Sequence, residues 1–214
     1  MDVYLEVGAK RVFAGALEWP GWARSGRDEA LALEALLAYG PRYRGTIARA
    51  RLGFSPPTEP NELRVVERLE GDATTDFGTP SKAPSADARR FDEVELRRSR
   101  SLLRACWRAF DAAVEAGTGR PLRTGPRGGG RSLEKIVTHV AGAEGGYLRS
   151  IAARAGTEDL DAVRDAVLEA LATAAREGLP DRGPRGGRIW SARYFVRRAA
   201  WHVLDHAWEI EDRC

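Results

Sequence analysis

The sequence predicts an α+β chain, with a small N-terminal α/β module followed by a four-helix bundle. Three observations carry that expectation. Hydrophobic residues alternate or run together in short stretches over the first seventy positions, as strands require, and from Asp87 onward they recur at three- and four-residue steps. A stretch rich in Pro, Gly, Ser and Thr, Gly71–Pro84, separates the two regimes. Beyond it, four helical patterns follow one another, each bounded by a cap or by Gly and Pro. The expected boundaries are 1–70 for the module, 71–85 for a linker and 86–214 for the bundle.

Taken in order, Val3–Val7 and Arg11–Trp19 read as a hairpin closed by Gly8-Ala9-Lys10. Trp19-Pro20-Gly21-Trp22 breaks the second strand and adds two tryptophans expected to be exposed. Asp28–Tyr39 (DEALALEALLAY) is a helix stopped by Gly40-Pro41, and Pro41–Arg51 continues as a short helix. Leu63–Leu69 is a further strand that joins the N-terminal sheet.

In the second regime, Leu96, Leu103 and Phe110 repeat at sevens, with Trp107 and Val114 beside them, in a first bundle helix ending at Gly117. Ser132 caps a second helix expected to run to Gly156. Thr157 caps a third, with Glu158 and Asp159 in its first turn, where the helix dipole favours acids, and Gly178 and Pro180 stop it. Ser191 caps the fourth, which runs uninterrupted to Arg213. The pattern does not fix the connectivity of the four.

Composition narrows the function classes. The formal net charge is only +3, so a dedicated nucleic-acid binder is not expected. No apolar run approaches a membrane span, and the two cysteines, Cys106 and Cys214, show neither metal-motif nor disulfide spacing. A cytoplasmic protein is expected. The Gly-Pro-Arg-Gly-Gly loops at 125–129 and 183–187 lack the Lys-Ser/Thr ending of a phosphate-binding loop. They read as solvated linkers or, more sharply, as a mouth in which Arg127 and Arg185 would bind an anionic ligand. That second reading needs the two helices they precede to run in the same direction.

The chemistry lies in the histidines. Phe195, Ala199, His202, Val203, His206 and Ile210 form one stripe of the last helix, so His202 and His206 project from the same face, one turn apart. Such a pair is often no more than hydrogen-bonded core. The chain has only three histidines, however, and the third, His139, shares a face of the second helix with Ile136, Ala143 and Tyr147. All three therefore point inward from two helices, which predicts a three-His site for a divalent ion completed by water or substrate. Zn²⁺ is the first expectation, with Ni²⁺, Fe²⁺ or Mn²⁺ as alternatives. Glu144 and Glu209 are the candidate catalytic or ligand-orienting carboxylates, and Glu209, seven residues after His202, is expected in line with it. Asp205 is expected to be a solvated charge. Trp201, Trp208 and Tyr194 form a second stripe, either packing or the wall of an apolar pocket. No Ser-His-Asp arrangement is available.

HVAGAEGGYLR, with its His139 and Glu144, and RRAAWHVLDHAWEIEDR near the C-terminus resemble the DinB/YfiT-like superfamily of metalloenzymes over roughly Ala86 to Arg213. That resemblance implies a four-helix bundle with metal ligands His139, His202 and His206. It also implies transferase or isomerase chemistry using a low-molecular-weight thiol such as mycothiol or bacillithiol, and a small-molecule substrate. The N-terminal strand–strand–helix order resembles HicB-like domains in fold only, departing at the turn with Trp19 and Trp22. Such domains bind toxin partners or serve as generic modules, so a protein partner is one of two roles the resemblance allows this module. The function expected is a metal-dependent transferase or hydrolase. The alternatives are a binding or regulatory protein acting through the N-terminal module, and a structural metal site without turnover. Homodimerisation is common in such bundles.

Overall fold

In the computed structural model, the residues described are 1–124, 130–157, 159–183 and 186–214. They form two compact units, Met1–Arg89 and Arg90–Cys214, of mixed α+β and helical character respectively.

The first unit is built on a four-stranded sheet of β1 (Asp2–Val7), β2 (Val12–Ala16), β3 (Ala23–Gly26) and β4 (Arg64–Glu70), in the order β3-β2-β1-β4. β1 and β2 are the expected antiparallel hairpin, and β4 pairs with β1 in parallel. The strand β3 went unread because Ala-Arg-Ser-Gly carries no apolar alternation; its pairing with β2 alone makes it a strand. At the centre, Tyr4 and Gly15 are cross-strand partners. The Tyr4 ring lies so close over Gly15 that a Cβ there would meet Cε1 at 2.5 Å, so only glycine fits.

Helix α1 (Glu29–Ala38) starts where Asp28 accepts from the Leu31 N–H at 2.8 Å, and α2 (Gly40–Ile47) follows it directly. Trp22 corrects the expectation of exposed tryptophans. It is buried, its Nε1 donates to the Leu36 carbonyl at 2.9 Å, and its ring packs edge-on to Phe54 and stacked on Tyr43; Trp19, half-buried, meets Phe54 edge-on. An indole against the underside of a helix secures a good partner for its N–H, and the chain between the tryptophans is a tight turn rather than a display loop.

Residues 71–89 also belong to the first unit rather than forming a loose linker. Glu6, fully buried, accepts from the Thr75 hydroxyl, from the Ser81 N–H at 2.9 Å and from the Lys82 N–H at 3.0 Å. A buried carboxylate needs such donors, and they come from α3 (Ala73–Phe77) and the chain after it.

The second unit contains α4 (Glu93–Gly117), α5 (Leu133–Ser150), α6 (Leu160–Glu177) and α7 (Ala192–Arg213). The expected caps hold at Ser132 and Ser191, which accept from the Lys135 and Tyr194 N–H groups. α5 ends at Ser150, short of Gly156, and α6 is capped by Asp159, whose side chain accepts from Ala162 N, rather than by Thr157; Thr157 Oγ1 instead accepts from Asp159 N. Glu158 lies outside the described residues.

End contacts set the directions. Arg193 pairs with Glu95 at 2.9 Å, and a Cβ at Gly117 would touch Ile210 and Cys214, so α4 and α7 run the same way. The Trp190 N–H donates to the Ser150 carbonyl and the Arg123 N–H to the Arg213 carbonyl, so α5 runs against α7. Arg164 on α6 reaches Asp111 and Arg100 reaches the Leu168 carbonyl, which sets α6 against α4. The chain thus runs one way in α4 and α7 and the other way in α5 and α6. None of the helices among the described residues is long and apolar enough to cross a membrane.

Candidate metal centre

The last helix positions two of the three histidines. α7 buries an apolar stripe that includes Phe195, Ala199, Val203 and Ile210, and it carries His202 (6% exposed) and His206 (8% exposed) inward with them. α5 presents two neighbouring stripes. The inner one is Ile136, Val140, Glu144 and Leu148, all buried. The outer one, His139, Ala143 and Tyr147, is half-buried and faces α7.

The three imidazoles converge as expected. Their ligand atoms all lie within 4.8 Å of one another, and their ring centroids are 5.0, 4.9 and 4.7 Å apart. The Nε2 atoms of His139 and His202 face each other at 3.1 Å. Two nitrogens held at 2.0–2.1 Å by one tetrahedral ion stand about 3.3 Å apart, so this spacing fits a shared cation. The His202 Nδ1 is buried with no hydrogen-bond partner among the described residues. Burial, then the charges of His206 and Arg198, pull the His202 imidazole down to about 2, and burial followed by His206 also lowers His139. Neutral imidazole is the form that ligates a metal, so these two donors are ready across the physiological range.

Glu209 completes the local order. Its Oε2 is 2.8 Å from His206 Nδ1, and its Oε1 accepts from Arg213 Nη1 at 2.7 Å. The sequence placed Glu209 in line with His202; the structure pairs it with His206, three residues away, because the long carboxylate bends back along the helix. With the carboxylate as acceptor, His206 Nδ1–H is the donor and Nε2 is left as the nitrogen with a free lone pair. The hydrogen bond to His206 is the main reason that the Glu209 carboxyl is held below its usual range.

Glu144 goes elsewhere. Its Oε1 accepts from Trp107 Nε1 at 2.7 Å, and Arg164 Nε lies 3.7 Å from its Oε2. Burial raises its carboxyl to about 7 in spite of Arg164. The five-residue step from His139 moves it onto the inner stripe, so it is not among the converging groups. Asp205 is half-buried and engaged rather than a freely solvated charge. Cys106 is buried, and burial pushes its thiol well above the ordinary range.

Arg127 and Arg185 lie outside the described residues. The antiparallel setting of α5 and α7 removes the condition for a shared arginine mouth, because the starts of the two helices are at opposite ends of the bundle.

The sequence singles out no site role for four residues, Tyr147, Trp190, Arg198 and Arg213. Tyr147 packs edge-on to His202 with centroids 5.5 Å apart, and Trp190 links Tyr147 to Tyr194 at 5.5 and 4.9 Å. Arg213 anchors Glu209, and Arg198 lies one turn before His202. Both arginines stand four residues from a site residue, the signal that could have found them. The buried Trp201 contacts His202 at 6.4 Å, and Trp208 is buried as well. Comparison of the chain with family models, with curated proteins and with solved structures gives no match.

Proposed function

We propose that the second unit is a DinB-like bundle that binds one divalent metal ion, Zn²⁺ first among the candidates, through His139, His202 and His206, and that it acts as a metal-dependent transferase or hydrolase in the cytoplasm. The convergence of three histidine donors within 4.8 Å is the observation that carries this reading. Three protein ligands would leave a coordination position for a small molecule, and His139, half-buried, keeps the cluster open to the edge of the bundle. Zn²⁺ bound by three imidazoles lowers the pKa of a water or thiol that joins it, which is how a low-molecular-weight thiol would be activated.

The chain's own residues would do the rest. Glu209 keeps a proton on His206 Nδ1 and fixes that ring's orientation, with Arg213 steadying the carboxylate. Tyr147 and Trp201 wall the site with apolar surface that limits water. The strand order and the helix between β3 and β4 support a HicB-like reading of the first unit, which would engage a protein partner.

The test is the metal content of untagged protein beside a His202→Ala/His206→Ala variant. About one equivalent of a transition metal in the wild type, lost in the variant, is expected at a three-histidine site. No metal in either protein after incubation with Zn²⁺, Ni²⁺ and Mn²⁺ would make the histidines core residues.

A further inference from the structure

Arg198 sits between two aromatic rings at the edge of the histidine cluster. Its guanidinium carbon lies 4.7 Å from the Trp201 ring centroid and 5.1 Å from that of Tyr147. Both rings also contact His202. A guanidinium over aromatic rings still has N–H groups to offer other partners. Arg198 Nη1 is buried yet has no acceptor among the described residues. A buried cationic donor without an acceptor is costly, which is reason to expect a ligand to supply one. Two other arginines of α7 have their acceptors within the chain. Arg213 is engaged by Glu209 and the Arg123 carbonyl, and Arg193 by Glu95 and the Arg90 carbonyl.

We propose that Arg198 is the specificity residue of the histidine site, so that its substrate is a small carboxylic acid whose carboxylate pairs with the guanidinium while another donor atom joins the three imidazoles. This rests on the metal-binding reading above. The preference for a carboxylate follows from the planar fork, which matches two oxygens in one plane. The aromatic clamp selects further. Contact with two rings restricts the guanidinium before any ligand arrives, so less side-chain freedom remains to be lost on binding.

The test uses the full chain loaded with Co²⁺, whose visible spectrum responds when a thiol replaces solvent, losing its proton to the buffer. Mercaptopropionate and mercaptobutyrate are titrated, each beside its uncharged amide. The wild type should bind at least one acid about tenfold or more tightly than its amide. Arg198→Met, which keeps an apolar stem between the rings, should lose that preference while its affinity for the amide and its Co²⁺ content stay unchanged. Arg198→Lys, which keeps the charge without the fork, should retain only part of it. Equal binding of acid and amide by the wild type overturns the assignment without disturbing the metal site. So does a preference that survives in Arg198→Met. If the wild type binds no Co²⁺, the metal reading fails, and this one with it.

Discussion

His206 Nδ1 and Glu209 Oε2 stand 2.8 Å apart on one turn of α7, and Arg213, one turn further on, holds the other carboxylate oxygen. The three side chains form a relay along a single helix face, ending in an imidazole whose tautomer is fixed. Removing the carboxylate leaves the three imidazoles in place but frees the His206 ring. Glu209→Ala should therefore weaken metal affinity by about 10–100-fold without abolishing it. Competition against a chromophoric chelator would measure this, and an unchanged affinity would show that the carboxylate has no part in the site.

A second prediction concerns thermal stability. Because the donors belong to the folded bundle, saturating Zn²⁺ should raise the unfolding transition of the second unit. At a free concentration of about 1,000 times Kd the gain is about 4 kcal/mol, and EDTA should reverse it. A thermal scan with and without the chelator checks both halves. The His202→Ala/His206→Ala variant should show neither.

Glu144 leads to a third. Its carboxyl rises from 4.5 to about 7 through burial, so the folded chain keeps a proton that the unfolded chain releases. That contribution is fully present below about pH 4.5 and is lost as pH rises through about 7, a loss on the order of 3 kcal/mol at full ionisation. The groups that face it are Trp107 and Asp111 of α4, Arg164 of α6 and Tyr147 of its own helix. Glu144→Gln should flatten the dependence, gaining stability relative to the wild type at about pH 8 and little at about pH 5. Urea midpoints of the two proteins across that range are the measurement; parallel curves would refute the shift.

In the first unit, Gly15→Ala should cost about 1–3 kcal/mol, since the added Cβ drives into the buried Tyr4 ring. Combining it with Tyr4→Leu should restore part of the loss. Denaturant unfolding of the single and double variants tests the pairing, and additive losses would mean that the two residues do not meet.

The histidine site was legible in the sequence because its signal is periodic. His202 and His206 repeat with Phe195, Ala199 and Ile210, and a helix turns that spacing into a face. The hairpin, the helix after Asp28 and the strand Arg64–Glu70 were legible for the same reason. What escaped depends on neighbours far along the chain. The strand Ala23–Gly26 exists because β2 offers it a ladder. Residues 71–85 are ordered because Glu6 accepts from Thr75, Ser81 and Lys82. Glu144 is an inner residue because Trp107 of α4 donates to it, and Trp22 is covered because the Leu36 carbonyl accepts from it. No local pattern records such pairings.

His139 and His202 are separated by 63 positions and lie on helices that run in opposite directions, yet their Nε2 atoms meet at 3.1 Å. An ion held between them would act as a cross-link, tying the second helix of the bundle to the last and closing a long loop that includes all of α6. The entropy cost of that closure is met when the helices pack, before any ion arrives. The unfolded chain keeps only the His202/His206 pair close in sequence and holds a metal with two donors at best, so affinity for the ion is also a gauge of how completely the bundle has assembled.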